Sequence, residues 1–261
     1  MKTERTSSIL RGALAIVIAA AIYEGMARTG VFQPVLLPTL PKIAATLLDM
    51  ILDGTMLRHA GYTLGRMLAG FVLAIVIGLP LGILMGRRRA VESFCMPLVG
   101  ALMPIPSLAW VPVFILWFGL GNTVSILIVL YAAMFPLVLN AWSGVRSVNQ
   151  LWLRAAGAMG ANETALFWKV VLPGASPFII TGLRQAFLRS WIAVVGAEMI
   201  AASDWGLGWV IYDAKEFLNA DVMLASLAVI GLIGFLFERL VFGSIERATV
   251  QRWGMVRSAK G

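Results

Sequence analysis

Four ionisable residues lie inside stretches of the chain that are otherwise apolar, namely Glu24, Arg184, Arg189 and Glu198. A charge within a membrane span costs about 3 kcal/mol or more, so it usually faces a cavity or a partner. Arg184 needs no more than snorkelling of its guanidinium to the nearer interface. Arg189 is deeper and is the better candidate for attracting an anion. For Glu198 two interpretations stay open: it faces a cavity, or it has a structural role, capping a helix or pairing with a neighbouring span near the outer surface.

Other reactive groups are few in this sequence. Cys95 is the single cysteine and His59 the single histidine, which excludes an internal disulfide and a histidine-based metal cluster. The carboxylates are scattered and do not form the acid and base set of an enzyme. The phosphate-binding pattern GxxxxGK(S/T) does not occur. We therefore predict no catalytic residues, no metal and no cofactor, and any ATP hydrolysis must come from a partner.

The composition indicates a polytopic membrane protein. Hydrophobic residues make up 60% of the chain and charged residues only 13%, where soluble domains have about a quarter charged residues. The mean hydropathy is +0.88. The net charge of +8 comes from basic residues dispersed at segment ends. A nucleic-acid-binding protein would gather them on one face, so nucleic acid is not expected as a partner.

About six segments are long and apolar enough to cross a bilayer as helices. They are residues 11–27, 62–85, 94–118, 123–142, 178–202 and 222–237. The first has the basic start and apolar run of a signal peptide, and we interpret it as an uncleaved span. Residues 42–52 have helical spacing of apolar residues and predict a short helix on the outer surface. The predicted fold is therefore all-α and membrane-embedded.

The third span contains Pro97, Pro104, Pro106 and Pro112. A straight helix does not survive so many prolines, and a membrane tolerates a broken helix only where protein or a water-filled path covers the freed backbone. This span is therefore a candidate element of a translocation path. The path candidates are Pro104, Pro106, Trp110, Arg189 and Glu198.

A polar segment, residues 154–173, separates the fourth and fifth spans. One face of a first short helix is predicted to carry Leu151, Ala155, Ala158 and Met159. Gly160 suits the left-handed residue that closes a helix, and Asn162 suits an N-cap. A second short helix is predicted to carry Leu166, Phe167, Val170 and Val171 on one side and to end before Pro173. The two helices would lie along a membrane surface or dock on a protein.

The spacing of this segment resembles the EAA loop of ABC-importer permeases, in which EAA is followed by three residues, G, nine residues, I, one residue and LP. The matching residues are Ala155, Ala156, Gly160, Val170, Leu172 and Pro173. Arg154 stands where the family pattern has glutamate, which leaves its contact open. In that family the loop is the coupling helix that sits in a groove of the cytoplasmic ATPase subunit. The resemblance implies that Arg154, Ala155, Ala156, Gly160, Leu172 and Pro173 couple to an ATPase.

The distribution of Lys and Arg predicts the orientation, because these residues are retained on the cytoplasmic side. With the N-terminus inside, all but five of the 21 basic residues are cytoplasmic. The outer five are Arg28, Lys42, Arg58, Arg66 and Lys215. Both termini and the segment around Arg154 are therefore expected in the cytoplasm, where an ATPase could reach them.

The resemblance covers nearly the whole chain. Residues 102–121, 173–184, 197–202 and 206–222 are similar to the nitrate, sulfonate and taurine branch of these permeases. Such subunits are usually homodimers in the inner membrane that bind two copies of an ATPase and receive solute from an extracytoplasmic binding protein. The resemblance implies a small anion as the solute, without indicating which one.

The sequence features fit three classes of membrane protein to different degrees. An ABC-importer permease accounts together for the segment, the orientation and the missing nucleotide motif. An ion-coupled secondary transporter is the alternative, although the two halves show no convincing self-similarity of the kind common in such carriers. A membrane enzyme lacks a clustered catalytic set. We expect one permease domain over residues 1–261, with core spans in 62–243 and a cytoplasmic coupling loop at 147–175.

Overall fold

The computed structural model describes residues 2–201 and 204–242, and within these ranges it contains helices and no β-strand. The helices are α1 (Lys2–Arg28), α2 (Leu40–Leu52), α3 (Thr55–Arg87), α4 (Arg89–Leu102), α5 (Val111–Phe118), α6 (Asn122–Arg146), α7 (Gln150–Ala158), α8 (Glu163–Leu166), α9 (Leu172–Ala201), α10 (Leu207–Glu216) and α11 (Ala220–Leu236). A 3₁₀ turn, Ser107–Trp110, precedes α5, and π-helical segments occupy Phe167–Val171 and Phe237–Phe242. The all-α prediction is confirmed.

Four helical stretches of the described chain are long and apolar enough to span a membrane: Thr55–Arg87, Asn122–Arg146, Glu163–Ala201 and Ala220–Leu240. The pair Arg89–Leu102 and Ser107–Phe118 makes a fifth if it counts as one broken span. These five contain the second to sixth predicted spans, and the predicted first span lies in α1. Residue 202 of the fifth span and residues 243–261, part of the terminal segment 238–261 that the sequence shows to be basic, lie outside the described residues. A polytopic membrane fold is therefore confirmed.

Helix α6 is the centre of the bundle and packs along both α3 and α9. Glycines on α3 permit a close approach: a Cβ added to Gly70 would lie 2.6 Å from Cβ of Val129, and one added to Gly82 would lie 2.8 Å from Cβ of Ala141. Small residues drive such packing in lipid because van der Waals contact replaces the hydrophobic effect. Gly65 on the same helix has open space around it and makes no such contact.

The third span is broken, as its prolines predicted. Helices α4 and Ser107–Phe118 are bent by 85°. The break lies at Pro104 and Pro106, while Pro97 is accommodated within α4 and Pro112 lies in the first turn of α5. Pro112 is harmless there because the first N–H groups of a helix have no intrahelical acceptor.

The short helix predicted at residues 42–52 is present as α2, which packs on α11 and α3. Thr46 Oγ1 donates a 2.8 Å hydrogen bond to Asp221 of α11. Helix α10 was not predicted, although its buried residues follow a helical period. They are Leu207, Gly208, Val210, Ile211 and Ala214. This helical period is visible in the sequence, but α10 is too short to meet the length expected of a membrane span.

One prediction about the polar segment is wrong. The second short helix does not end before Pro173, because the chain continues as one helical stretch from Glu163 to Ala201. The π-helical residues Phe167–Val171 lie directly before Leu172 and Pro173. Their wider turn relieves the clash between a proline ring and the carbonyl one turn earlier. The helix therefore changes locally from π to α at Leu172, directly before Pro173, and does not end there.

Candidate coupling segment and membrane cavity

Helix α7 is defined by local capping at both ends. The side chain of Asn149 accepts a 2.9 Å hydrogen bond from the Leu151 N–H at its start. At its end Gly160 has φ of +83°, Gly160 N–H donates to Gly157 O at 2.9 Å, and Ala161 N–H donates to Ala156 O at 3.0 Å. This pair of bonds is the Schellman motif, which needs a left-handed residue. The predicted backbone role of Gly160 is therefore confirmed.

The chain then restarts a helix at Asn162, whose side chain accepts a 2.8 Å hydrogen bond from the Ala165 N–H. This confirms the predicted N-cap. We call residues 150–171 the polar-segment helices. Arg87 at the end of α3 contacts these helices. Its guanidinium lies 3.9 Å from the Glu163 carboxylate and 4.9 Å from the centroid of the Phe167 ring.

The apolar face of α7 is uncovered. Leu151 is 68% exposed and Met159 is 82% exposed, and Ala155 and Ala158 between them are also exposed. Arg154 is exposed on the same helix, whereas Ala156 is buried. The predicted face of the second helix is half-buried, and so are Leu172 and Pro173. Within the single chain, α7 therefore presents an apolar surface that has no partner among the described residues.

Basic residues gather at the same end of the bundle. Arg146 at the end of α6 pairs with Glu92 near the start of α4, while Arg87 reaches Glu163 of α8. The ends of three spans and the polar-segment helices are thus adjacent. At the opposite end Gly121 N–H donates a 2.9 Å hydrogen bond to Ala201 O, which joins the start of α6 to the end of α9.

A cavity of about 600 Å³ lies halfway along α6 and α9, beside the break in the third span. Pro104, Pro106 and Arg189 all line it, so the structure brings together three of the five predicted path residues. Trp110 lies next to it: its ring is 5.7 Å from that of Tyr131, a lining residue. The indole N–H of Trp110 is buried without a hydrogen-bond partner in the described part of the chain.

Glu198 lies outside this cavity and is 1% exposed. Its carboxylate pairs with Arg66 of α3 at 2.7 Å and accepts hydrogen bonds from Thr63 at 2.8 Å and from the Gly208 N–H at 3.1 Å. Of the two interpretations that the sequence left open for Glu198, the structure shows the structural one, pairing with a neighbouring span. Arg66 also donates to Asn122 at 2.6 Å.

The same cluster holds the turn before α10. Gly206 N–H donates to His59 Nδ1 at 3.1 Å and Leu207 N–H donates to Thr63 Oγ1 at 2.8 Å. The His59 ring lies 4.8 Å from that of Trp205. Arg66 was not predicted as an embedded charge, although it lies within the second predicted span. The criterion that selected Glu198 would have selected Arg66 too.

Arg184 is also paired, with Glu238 of the π-helical segment after α11. Arg189 differs from it, because within the described residues its guanidinium forms no hydrogen bond and no ion pair. The path role proposed for Arg189 is therefore compatible with its position, and the structural role favoured for Arg184 has a specific partner.

Comparison with known proteins identifies the family. The model of the binding-protein-dependent transport system inner membrane component matches residues 78–249. The chain belongs to this family of ABC-importer permeases. It is 37% identical to the taurine transport system permease protein of Escherichia coli, over 87% of this chain and 83% of that protein. It is 31% identical to the bicarbonate transport system permease protein of Synechococcus elongatus, over 94% and 87% of the two chains.

A solved structure shares the fold. A chain of the MetNI methionine ABC transporter in an inward-facing conformation superposes with a TM-score of 0.66 at 20% identity, over 74% of this chain and 95% of that one. The permease is therefore a multi-pass membrane protein and a transport component of ABC importers, and the family is not catalytic. The family does not favour the ion-coupled carrier that the sequence left as the alternative.

Proposed function

We propose that this permease is the transmembrane subunit of an ATP-driven importer and that its polar-segment helices couple it to a separate ATPase. The uncovered apolar face of α7, closed by the left-handed Gly160, is the observation that carries the proposal. An apolar helix face flanked by polar residues is typical of a surface that docks on another protein. Arg154 lies beside this face and would contact the ATPase in place of the family's glutamate.

The proposed orientation is supported by the distribution of charge. Arg87, Arg88, Arg89 and Arg146 end or begin helices next to the polar-segment helices. Because basic residues are retained inside, this end is proposed to be cytoplasmic together with both termini. The whole chain, residues 1–261, then forms one permease domain with core spans in 62–243 and a coupling loop at 147–175.

The solute is proposed to be a small anion such as a sulfonate, taurine, nitrate, bicarbonate or a related organic anion. Two observations support this: the names of the relatives, and Arg189 as the single charged residue among the described residues that line the cavity. A positive charge in a pathway lowers the barrier for an anion and raises it for a cation. The solute would be delivered by an extracytoplasmic binding protein.

The assembly is proposed to contain two copies of the permease and two ATPase subunits in the cell's inner membrane. The broken third span supports the second copy, because backbone freed at membrane depth needs protein cover. A partner copy facing the cavity would supply that cover and enclose a central path.

Co-purification tests the coupling surface. The tagged chain is extracted gently from its own membranes, and an ATPase subunit is expected to co-purify. Met159→Glu places a charge on the exposed face of α7, so the ATPase should be lost while the permease stays folded. Val31→Glu is the matched control, since Val31 is 77% exposed in the turn between α1 and α2. Equal ATPase recovery with Met159→Glu and the wild type would contradict the proposed surface.

A further inference from the structure

The wall of the cavity is shaped by a close approach between α6 and α9. A Cβ added to Gly182 would lie 2.7 Å from Cβ of Asn140, so only glycine lets the two helices meet here. One turn further along α9, Gln185 reaches the side chain of Asn140, and both residues line the cavity. The sequence Thr-Gly-Leu-Arg-Gln at 181–185 thus places a carboxamide pair at the cavity wall.

The hydrogen bonds of this pair determine which side-chain atom of each amide is the nitrogen and which is the oxygen. Asn140 Nδ2 donates to the Pro136 carbonyl at 2.8 Å and to Gln185 Oε1 at 3.1 Å. A carbonyl oxygen only accepts, so the Asn140 atom beside Pro136 must be the NH₂ group. The Gln185 atom that it meets must then be the oxygen. This leaves the Nε2 amide of Gln185, with two N–H donors, free of that contact.

A second donor lies four residues along the same helix. Arg189 follows Gln185 by one turn, about 6 Å along the axis, and side chains with this spacing share a face. Its guanidinium has no hydrogen-bond or ion-pair partner within the described residues, and no Asp or Glu is among the residues that line the cavity. The α9 wall therefore presents amide and guanidinium donors and no competing carboxylate.

The rest of the cavity is mostly apolar. Pro104 and Ile105 come from the broken third span, Phe135 from α6 and Ile192 from α9. A solute with an anionic head and a short aliphatic body matches both walls. The head can accept hydrogen bonds from the amide and guanidinium donors, and the body can pack against the apolar side chains. An inorganic anion would use only the donor wall and would leave the apolar wall unused.

We propose that Gln185 and Arg189 bind the oxyanion head of a small organic anion, a sulfonate or a carboxylate, inside the membrane, and that Asn140 positions Gln185 as a donor. The site rests on the proposed transport function and specifies where the permease itself contacts the solute. Arg189 supplies positive charge and Gln185 supplies directional hydrogen bonds. The apolar wall favours an anion with an aliphatic body over an inorganic anion.

Binding to the permease tests the site directly. The full chain, in the assembly it forms in its own membrane, is placed in lipid nanodiscs, and binding of ³⁵S-labelled ethanesulfonate is measured without binding protein or ATP. Loss of a hydrogen bond to a charged group lowers affinity about tenfold or more. We expect Arg189→Gln and Gln185→Glu each to weaken binding by at least that factor. Gln185→Glu should do so more strongly, because it places a negative charge beside the sulfonate.

The controls separate the site from general effects. Gln33→Glu makes the same chemical change at an exposed turn outside the cavity and should bind as the wild type does. Ethylammonium, a cation of similar size, should compete poorly, and nitrate should compete more weakly than unlabelled ethanesulfonate. Asn140→Leu should weaken binding in the wild type and have little further effect in a Gln185→Ala background. A merely structural Asn140 would lower binding equally in both backgrounds.

Three results would overturn the site: no measurable ethanesulfonate binding to the wild type, unchanged binding in Gln185→Glu, or nitrate competing as well as ethanesulfonate. None of these results would contradict the proposed transport function, which is tested separately by the dependence of uptake on ATP. Uptake without ATP would contradict the importer and leave the binding measurement intact.

Discussion

At the scale of single residues, the embedded charges divide into paired and unpaired groups. Arg66 and Glu198 satisfy each other inside the bundle, where the ion pair is 2.7 Å long and both side chains are almost fully buried. Arg189 lines a cavity and has no such partner among the described residues. A sequence shows that a charge is embedded, yet pairing depends on which helices become neighbours. This is why Glu198 could not be separated from Arg189 beforehand.

The buried pair leads to a prediction about stability. Arg66→Leu would leave the Glu198 carboxylate buried without its cation, which costs about 3–5 kcal/mol. The double variant Arg66→Leu/Glu198→Leu removes both charges and should recover much of that loss. Thermal unfolding of the purified permease in detergent measures both effects. The control is Arg58→Leu on the same helix, where the arginine is exposed and stacks 3.8 Å from the centroid of the Trp205 ring.

Additive losses in the double variant would contradict this account of the pair, because the cost of the single change would then come from packing. A double variant with a free energy of unfolding close to the wild type would support the pair as the source of the loss.

At the scale of elements, residue type and spacing were sufficient to predict the turn and the cap of the polar segment. They were insufficient to predict how the helix continues beyond it and how the neighbouring helices pack. The Gly160 turn and the Asn162 cap involve residues within one turn of each other, so spacing and residue type predicted both. Helix continuity across Pro173 depends on a π-helical segment whose geometry is not encoded in a simple pattern. The place of α10 against α3 and α9 is a tertiary property, although its apolar period was visible in the sequence.

The turn of α7 supplies a matched pair of glycines. Gly157 and Gly160 both have open space for a side chain, but only Gly160 has a positive φ, +83°. Gly160→Val should therefore strain the backbone by about 1–2 kcal/mol and displace the end of α7. We expect it to uncouple ATP hydrolysis from uptake while the protein still inserts. Reconstituted vesicles measure uptake and solute-stimulated hydrolysis together.

Gly157→Val is the control, because an ordinary helical φ accepts the side chain at the smaller cost of helix propensity. Wild-type uptake with wild-type stimulation in Gly160→Val would show that the left-handed turn is not needed for coupling.

At the scale of the whole molecule, the sequence predicted the membrane class, five of the spans and the break in the third. Hydropathy and proline content determine these features within each segment. The packing of α3 and α9 on α6, and the cavity beside the break, require the close contacts made at Gly70, Gly82 and Gly182. The resulting arrangement has a basic end with an uncovered helix, a cavity at mid-depth and a polar cluster at the opposite end.

The source of energy for transport tests the central claim most directly. Vesicles are prepared with the permease, the ATPase subunit expected to co-purify with it and an extracytoplasmic binding protein that captures the solute, and uptake of labelled ethanesulfonate is followed. An importer of this family should take up solute only with ATP on the ATPase side and loaded binding protein on the other, and ionophores that collapse proton and sodium gradients should leave the rate unchanged. Uptake that proceeds without ATP and stops when those gradients collapse would contradict the account.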